Sequence, residues 1–140
     1  MTSRENFSWP IRVYYEDTDA GGVVYHSNYL NFFERARTEK LRALGYEQDQ
    51  LRDSEGILFA VRSLQIDYLR PALFNQKLRV TAEVTRIKRA SLSFEQSIKL
   101  EQPGTDLICT ASVRIACISV HTMRPTPIPT NLLNQINHDR

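Results

Sequence analysis

Tyr14-Tyr15-Glu16-Asp17-Thr18-Asp19-Ala20-Gly21-Gly22-Val23-Val24-Tyr25-His26-Ser27-Asn28-Tyr29 is the stretch around which this chain is organised. The residues before it read as a strand, and those after it, to about Leu44, as an amphipathic helix. A loop rich in Asp and Gly that feeds a helix start suits chemistry. The carboxylates bring charge, the glycines let a ligand approach the backbone, and the first helical turn has N–H groups without intrahelical partners.

On the N-terminal side, Trp9 to Tyr15 alternates as a first strand, with Pro10 at its beginning, where a missing donor matters least. Ile11, Val13 and Tyr15 share one face; Arg12, Tyr14 and Glu16 share the other. On the C-terminal side, Leu30, Phe33, Ala36 or Arg37, Leu41 and Leu44 recur at helical spacing. Ser27 or Asn28 is expected to cap this helix and Gly45 to stop it. Glu34, Arg35, Glu39 and Arg42 form the solvated face. Phe32 beside Phe33 widens the apolar stripe and leaves one aromatic for a pocket or a partner subunit. A helical turn is expected around Asp49 to Asp53, ended by Gly56.

From Ile57 the period changes to two. Leu58, Ala60, Arg62, Leu64, Ile66 and Tyr68 are read as one face of a long strand closed by Pro71. Leu78, Val80, Ala82 and Val84 form one face of the next. Leu92, Phe94, Gln96, Ile98 and Leu100 form one face of a third. Pro103-Gly104 marks a turn. Leu107 to Val120 is apolar on both faces in places, which predicts a central position. The tail 122–140 holds Pro125, Pro127 and Pro129 and is expected to be irregular, with at most a short helix at Leu132 to Ile136. One helix followed by a meander predicts an antiparallel sheet packed on that helix, and so small a sheet leaves an edge that a second subunit would cover.

The chain has 140 residues and a formal net charge of +2, which fits one domain and no dedicated nucleic-acid surface. Cys109 and Cys117 lie in one strand-like run, where their Cα atoms would be roughly 26 Å apart, too far for a disulfide. Buried thiols in a reducing compartment are expected. No run is long enough for a spanning helix, and Met1 to Ser8 lacks an apolar signal segment.

Asp17 and Asp19 are the first candidates for chemistry. In isolation such residues are turn formers that bond their own backbone. Beside Gly21-Gly22 and a helix start, a carboxylate could attack a carbonyl carbon or activate water while the helix N-terminus holds the oxyanion. A metal set of Asp17, Asp19 and His26 is the weaker reading: His121 and His138 lie far along the chain, and neither HExxH nor a Cys cluster is present. There is no G-x-S-x-G elbow. Arg86, Lys88 and Arg89 form a basic cluster, either a solvated turn or a phosphate clamp.

Tyr15 through Leu30, with Phe33-Glu34-Arg35-Ala36-Arg37-Thr38 beyond, resembles the signature of hotdog-fold acyl-CoA thioesterases, within the 4-hydroxybenzoyl-CoA thioesterase-like branch and nearest to the bacterial thioesterases associated with the Tol-Pal system. The resemblance covers roughly residues 8–125 of one domain spanning 1–140. It implies an α+β hotdog fold: a long central helix wrapped by a curved antiparallel sheet of about five strands. It implies hydrolysis of acyl-CoA, aliphatic acyl groups favoured, with Asp19 as catalytic carboxylate and the His26 backbone N–H polarising the carbonyl. Gly21, Gly22, Val23, Tyr25, Asn28 and Glu34 fall on substrate-binding positions, and Lys88, Arg89 and Ser91 where relatives contact coenzyme A phosphates. No cofactor or metal is implied, coenzyme A being part of the substrate. Homodimers paired into tetramers, and a cytoplasmic protein free or peripheral at the inner membrane, are the further expectations. Acyl carrier protein is the alternative donor or partner. The rivals are a dehydratase or hydratase on the same fold and a non-catalytic protein that binds acyl carrier protein or an envelope complex.

Overall fold

The structure, a computed structural model, describes residues 7–101 and 106–139. The turn expected at Pro103-Gly104 lies outside the described residues. Strand β1 (Ser8–Arg12) leads through a 3-10 turn (Tyr15–Asp17) and a loop into helix α1 (Asn28–Ala43). A single turn, α2 (Gln48–Gln50), runs on into a π-helical turn (Leu51–Glu55). Then come β2 (Ile57–Tyr68), β3 (Lys77–Thr81), β4 (Glu83–Lys88), β5 (Ser91–Leu100) and β6 (Leu107–Ser119). A last helix, α3 (Thr130–Asp139), closes the order.

All pairings between strands are antiparallel, in the order β1-β3-β5-β6-β2, with β4 continuing β3 alongside β5. The strand expected over Leu78 to Val84 is thus one run broken at Ala82. Its alternation survives the break, since Leu78, Val80, Ala82 and Val84 are all buried. The sheet curves around α1, and the architecture is the α+β hotdog fold. The last strand, β6, lies between β5 and β2, which explains its apolar residues on both faces.

Helix α1 buries Tyr29, Phe32, Phe33, Ala36 and Leu41. Neither phenylalanine is left over: both are fully buried, and each contributes about 1.5–3 kcal/mol. The large apolar residue that α1 leaves outside is Leu30. The helix stops as expected, with Gly45 in the left-handed region at φ +97°. Its start differs from expectation. Ser27 occupies the cap position without a side-chain cap bond, and Asn28 reaches back into the loop instead.

The expected face of β2 is corrected by a bulge between Val61 and Ser63. An inserted residue reverses the alternation. Phe59 and Val61 pair with the buried Cys117 and Ile115, and beyond the bulge Leu64, Ile66 and Tyr68 pair with Val113, Ala111 and Cys109. Leu58 and Ala60 therefore sit on the opposite face from Leu64. One edge of β2 pairs with β6, and no strand among the described residues covers the other.

In the tail, the short helix read at Leu132 to Ile136 is present but longer than expected: residues 130–139 form α3, whose Leu132 and Ile136 are fully buried and whose Asp139 pairs with Lys40 of α1. Burial of this two-residue stripe offsets the weak helix propensity of Asn131, Asn134 and Asn137. Among the described residues no helix is long and apolar enough to cross a membrane. Cys109 and Cys117 are both free and buried.

Candidate active site

The loop between β1 and α1 is a compact hydrogen-bonded unit. Asp17 closes the 3-10 turn and turns inward, 3% exposed. One of its carboxylate oxygens accepts from the Tyr14 N–H at 2.8 Å, the other from Asn28 Nδ2 at 3.0 Å. Its carbonyl accepts from the Tyr25 N–H at 2.8 Å. Asp17 is thus occupied in joining the loop to the helix start.

Residues 19–23 form a tight hairpin. The Asp19 N–H donates to Val23 O at 2.9 Å and the Gly22 N–H to Asp19 O at 3.1 Å. Gly22 has φ +82°, the left-handed residue that closes a three-residue hairpin loop. The Asp19 side chain faces solvent, and Oδ1 accepts from the Gly21 N–H at 2.8 Å. Its Oδ2 has no protein partner among the described residues. A Cβ at position 21 would come within 3.3 Å of Asp19 Oδ1, so the glycine keeps the carboxylate unobstructed.

The hairpin delivers the chain to His26. Among the described residues the N–H groups of His26 and Ser27 donate to no protein acceptor, while the Asn28 N–H donates back to Tyr25 O at 2.8 Å. The His26 carbonyl accepts from the Tyr68 hydroxyl at 2.9 Å. The Tyr25 ring lies 4.4 Å from the His26 ring, and Tyr68 meets Tyr29 edge-on at 5.5 Å. A cavity of about 280 Å³ opens here, lined by Val24, His26, Tyr29, Tyr68, Leu69 and Arg70 among others. Sequence reasoning missed Tyr68, because the bulge that turns it to the helix side carries no compositional signature.

Glu34 lies two turns into α1, in a second cavity of about 270 Å³ walled by Leu30, Phe33, Val61, Leu64 and Val113, with Arg37 at its polar end. Arg37 donates to Gln96 Oε1 at 3.0 Å. Burial pulls the Arg37 pKa down, and nearby Glu34 acts against that. The Gln96 amide is itself buried and donates to Phe33 O and Thr81 O at 3.1 and 3.0 Å.

Lys88, Arg89 and Ser91 are not brought to the loop. They flank the turn between β4 and β5, whereas the loop rests on the segment before β3, through Val24 N–H to Ala72 O and a Val23–Leu73 bridge. That segment adjoins the far end of β5, roughly 30 Å from the turn. Among the described residues no cluster of three or more His, Cys, Asp or Glu side chains could hold a metal ion. Burial pushes the Cys109 thiol up to about 12, and it stays protonated.

This loop, with one buried acid and one open acid before a helix start, sits in a chain whose residues 13–136 match the thioesterase-like superfamily. The chain belongs to the thioesterase-like superfamily. Within it, the chain is 44% identical over 132 residues to the acyl-CoA thioesterase YbgC of Haemophilus influenzae, covering 94% of this chain and 95% of that one. It is 41% identical to the acyl-CoA thioester hydrolase YbgC of Escherichia coli, covering 91% and 92%. Among solved structures, a probable thioesterase from Bartonella henselae superposes with a TM-score of 0.83 at 37% identity, covering 89% of this superfamily member and all of that chain.

Proposed function

We propose that this protein hydrolyses acyl-CoA thioesters to a free carboxylic acid and coenzyme A, with aliphatic acyl groups preferred. The observation that carries the reading is the division between Asp17, buried and doubly bonded, and Asp19, exposed with one oxygen free. The similarity to YbgC relatives supports it, and with the sequence resemblance favours the Tol-Pal-associated branch.

Asp19 acts at the thioester carbonyl by one of two routes. Its oxygen attacks the carbonyl carbon, the C–S bond breaks, coenzyme A leaves as thiolate, and water then hydrolyses the mixed anhydride. Alternatively Asp19 takes a proton from a water that attacks the same carbon. In both, charge grows on the carbonyl oxygen, and the free His26 N–H is the donor that stabilises it; losing such a donor costs about 3–4 kcal/mol. A thiolate is a good leaving group, so no acid is needed on sulfur. Gly21, Gly22, Val23, Tyr25 and Asn28 shape the approach. The apolar cavity by Glu34 receives the acyl group.

The protein works as a dimer paired along the edge of β2 that no strand covers among the described residues, where Val61, Leu64 and Tyr68 are exposed, and two dimers pair into a tetramer. Since one chain keeps Lys88, Arg89 and Ser91 far from its own loop, they contact coenzyme A phosphates bound at another subunit's site. The cytoplasm, free or at the inner membrane surface, is where the substrate is met. Acyl carrier protein is the alternative donor.

The test is thiol release from acetyl- through palmitoyl-CoA, 4-hydroxybenzoyl-CoA and palmitoyl-acyl carrier protein, by wild type and Asp19→Asn. Release that disappears in Asp19→Asn is expected. Full activity of D19N would remove Asp19 from the mechanism, and no release from any donor would favour a binding protein.

A further inference from the structure

We infer that Tyr68 is a positioning residue for the reaction: its hydroxyl fixes the backbone of His26 and thereby aims the N–H that receives the oxyanion. The inference rests on the thioesterase reading above and adds a residue to it. His26 is held on both sides. The peptide that carries its N–H is fixed because the Asn28 N–H donates to Tyr25 O at 2.8 Å. The peptide that carries its carbonyl is fixed because the Tyr68 hydroxyl donates to His26 O at 2.9 Å. Peptide planes are rigid, so pinning both leaves the His26 Cα little freedom to rotate between them. Oxyanion stabilisation depends on donors already in place before charge develops.

Tyr68 is suited to the task. It comes from β2, across a separation of 42 residues, so the bond ties the loop to the sheet instead of to itself. Its ring is braced edge-on by Tyr29 at 5.5 Å, and Tyr29 is anchored by the Ala72 N–H, which donates to its hydroxyl at 3.0 Å. The Tyr68 ring also stands edge-on to the His26 ring at 6.5 Å. Burial raises the pKa of both tyrosines, keeping the Tyr68 hydroxyl protonated and able to donate near neutral pH. The residue is 47% exposed, so its removal touches little of the core.

The experiment compares wild type with Tyr68→Phe, which removes the hydroxyl alone. We expect kcat to fall by about tenfold or more, KM and the melting temperature to hold, and the loss to be the same for short and long acyl groups. Wild-type kcat in Y68F, or a rise in KM alone, overturns the inference. A second probe does not require turnover: a coenzyme A ketone in which methylene replaces sulfur, labelled with ¹³C at the carbonyl. Its resonance should move downfield on binding wild type and less on binding Y68F; equal shifts, or none in wild type, overturn the role. If wild type releases no thiol from any donor, the thioesterase reading fails by that result, and the ketone shifts still decide Tyr68.

Discussion

Asn28 Nδ2 donates to Asp17 Oδ1 at 3.0 Å, tying the first residue of α1 to the buried carboxylate of the loop before it. The bond explains why two acids so close in sequence differ in availability. Replacing Asp17 with Ala strands both Asn28 Nδ2 and the Tyr14 N–H. It should cost about 1–3 kcal/mol, read as a lower urea midpoint, and should depress activity through the loosened loop.

Gly22 makes a separate prediction. A side chain at φ +82° costs about 1–2 kcal/mol, so Gly22→Ala should melt earlier than wild type. Gly22→Asn should recover most of the loss, because Asn tolerates the left-handed region. Equal melting of Ala and wild type would show that the hairpin relaxes into another turn.

Gln96 is the polar centre of the core. Its amide bonds Phe33 O and Thr81 O and accepts from Arg37, so α1, the sheet and the cavity beside Glu34 share one side chain. Gln96→Leu leaves these groups unpaired and should cost about 2–4 kcal/mol in denaturant unfolding. A neutral result would mean that Arg37 and the carbonyls find water.

The buried thiols give a pH dependence. Burial holds Cys109 and Cys117 up at about 12 and about 11, against an ordinary value of 9.0. Raised values in the folded state mean that the unfolded chain loses these protons first. The contribution to stability is full below pH 9.0 and is lost as pH rises toward 11–12. A Cys109→Ser, Cys117→Ser variant should lose less stability between those pH values than wild type. Ellman's reagent at pH 8 should titrate neither thiol until the protein unfolds.

Helix α3 can be tested by Leu132→Ala. A fully buried leucine removed from the core should cost about 2–5 kcal/mol, more than any surface change in that segment. A loss under about 1 kcal/mol would mean that α3 contributes little to the core.

Much of the fold was legible because its alternation is unbroken where it matters: Leu92, Phe94, Gln96 and Ile98 all face inward, as read. The loop that joins β1 to α1 was legible as a unit because its parts are consecutive, from Asp17 through Asn28. What stayed hidden depends on geometry that sequence spacing does not encode. The β2 bulge reverses every side chain beyond Arg62, and the periodicity of Leu58 to Tyr68 looks the same with or without it. Only the Leu132 to Ile136 part of helix α3 was legible; its full length is made by docking, against its propensity. The pairing of Tyr68 with His26 joins two distant segments, and no local pattern announces it.

The strand that ends in Tyr68 is the same β2 whose outer edge no strand covers among the described residues. If copies pair along that edge and the His26 amide receives the oxyanion, as proposed, both depend on one element. Specific activity would then depend on protein concentration: on dilution below the dissociation constant of the pair, turnover per chain would fall before any secondary structure melted, and added inactive D19N subunits would restore part of it by lending their edge.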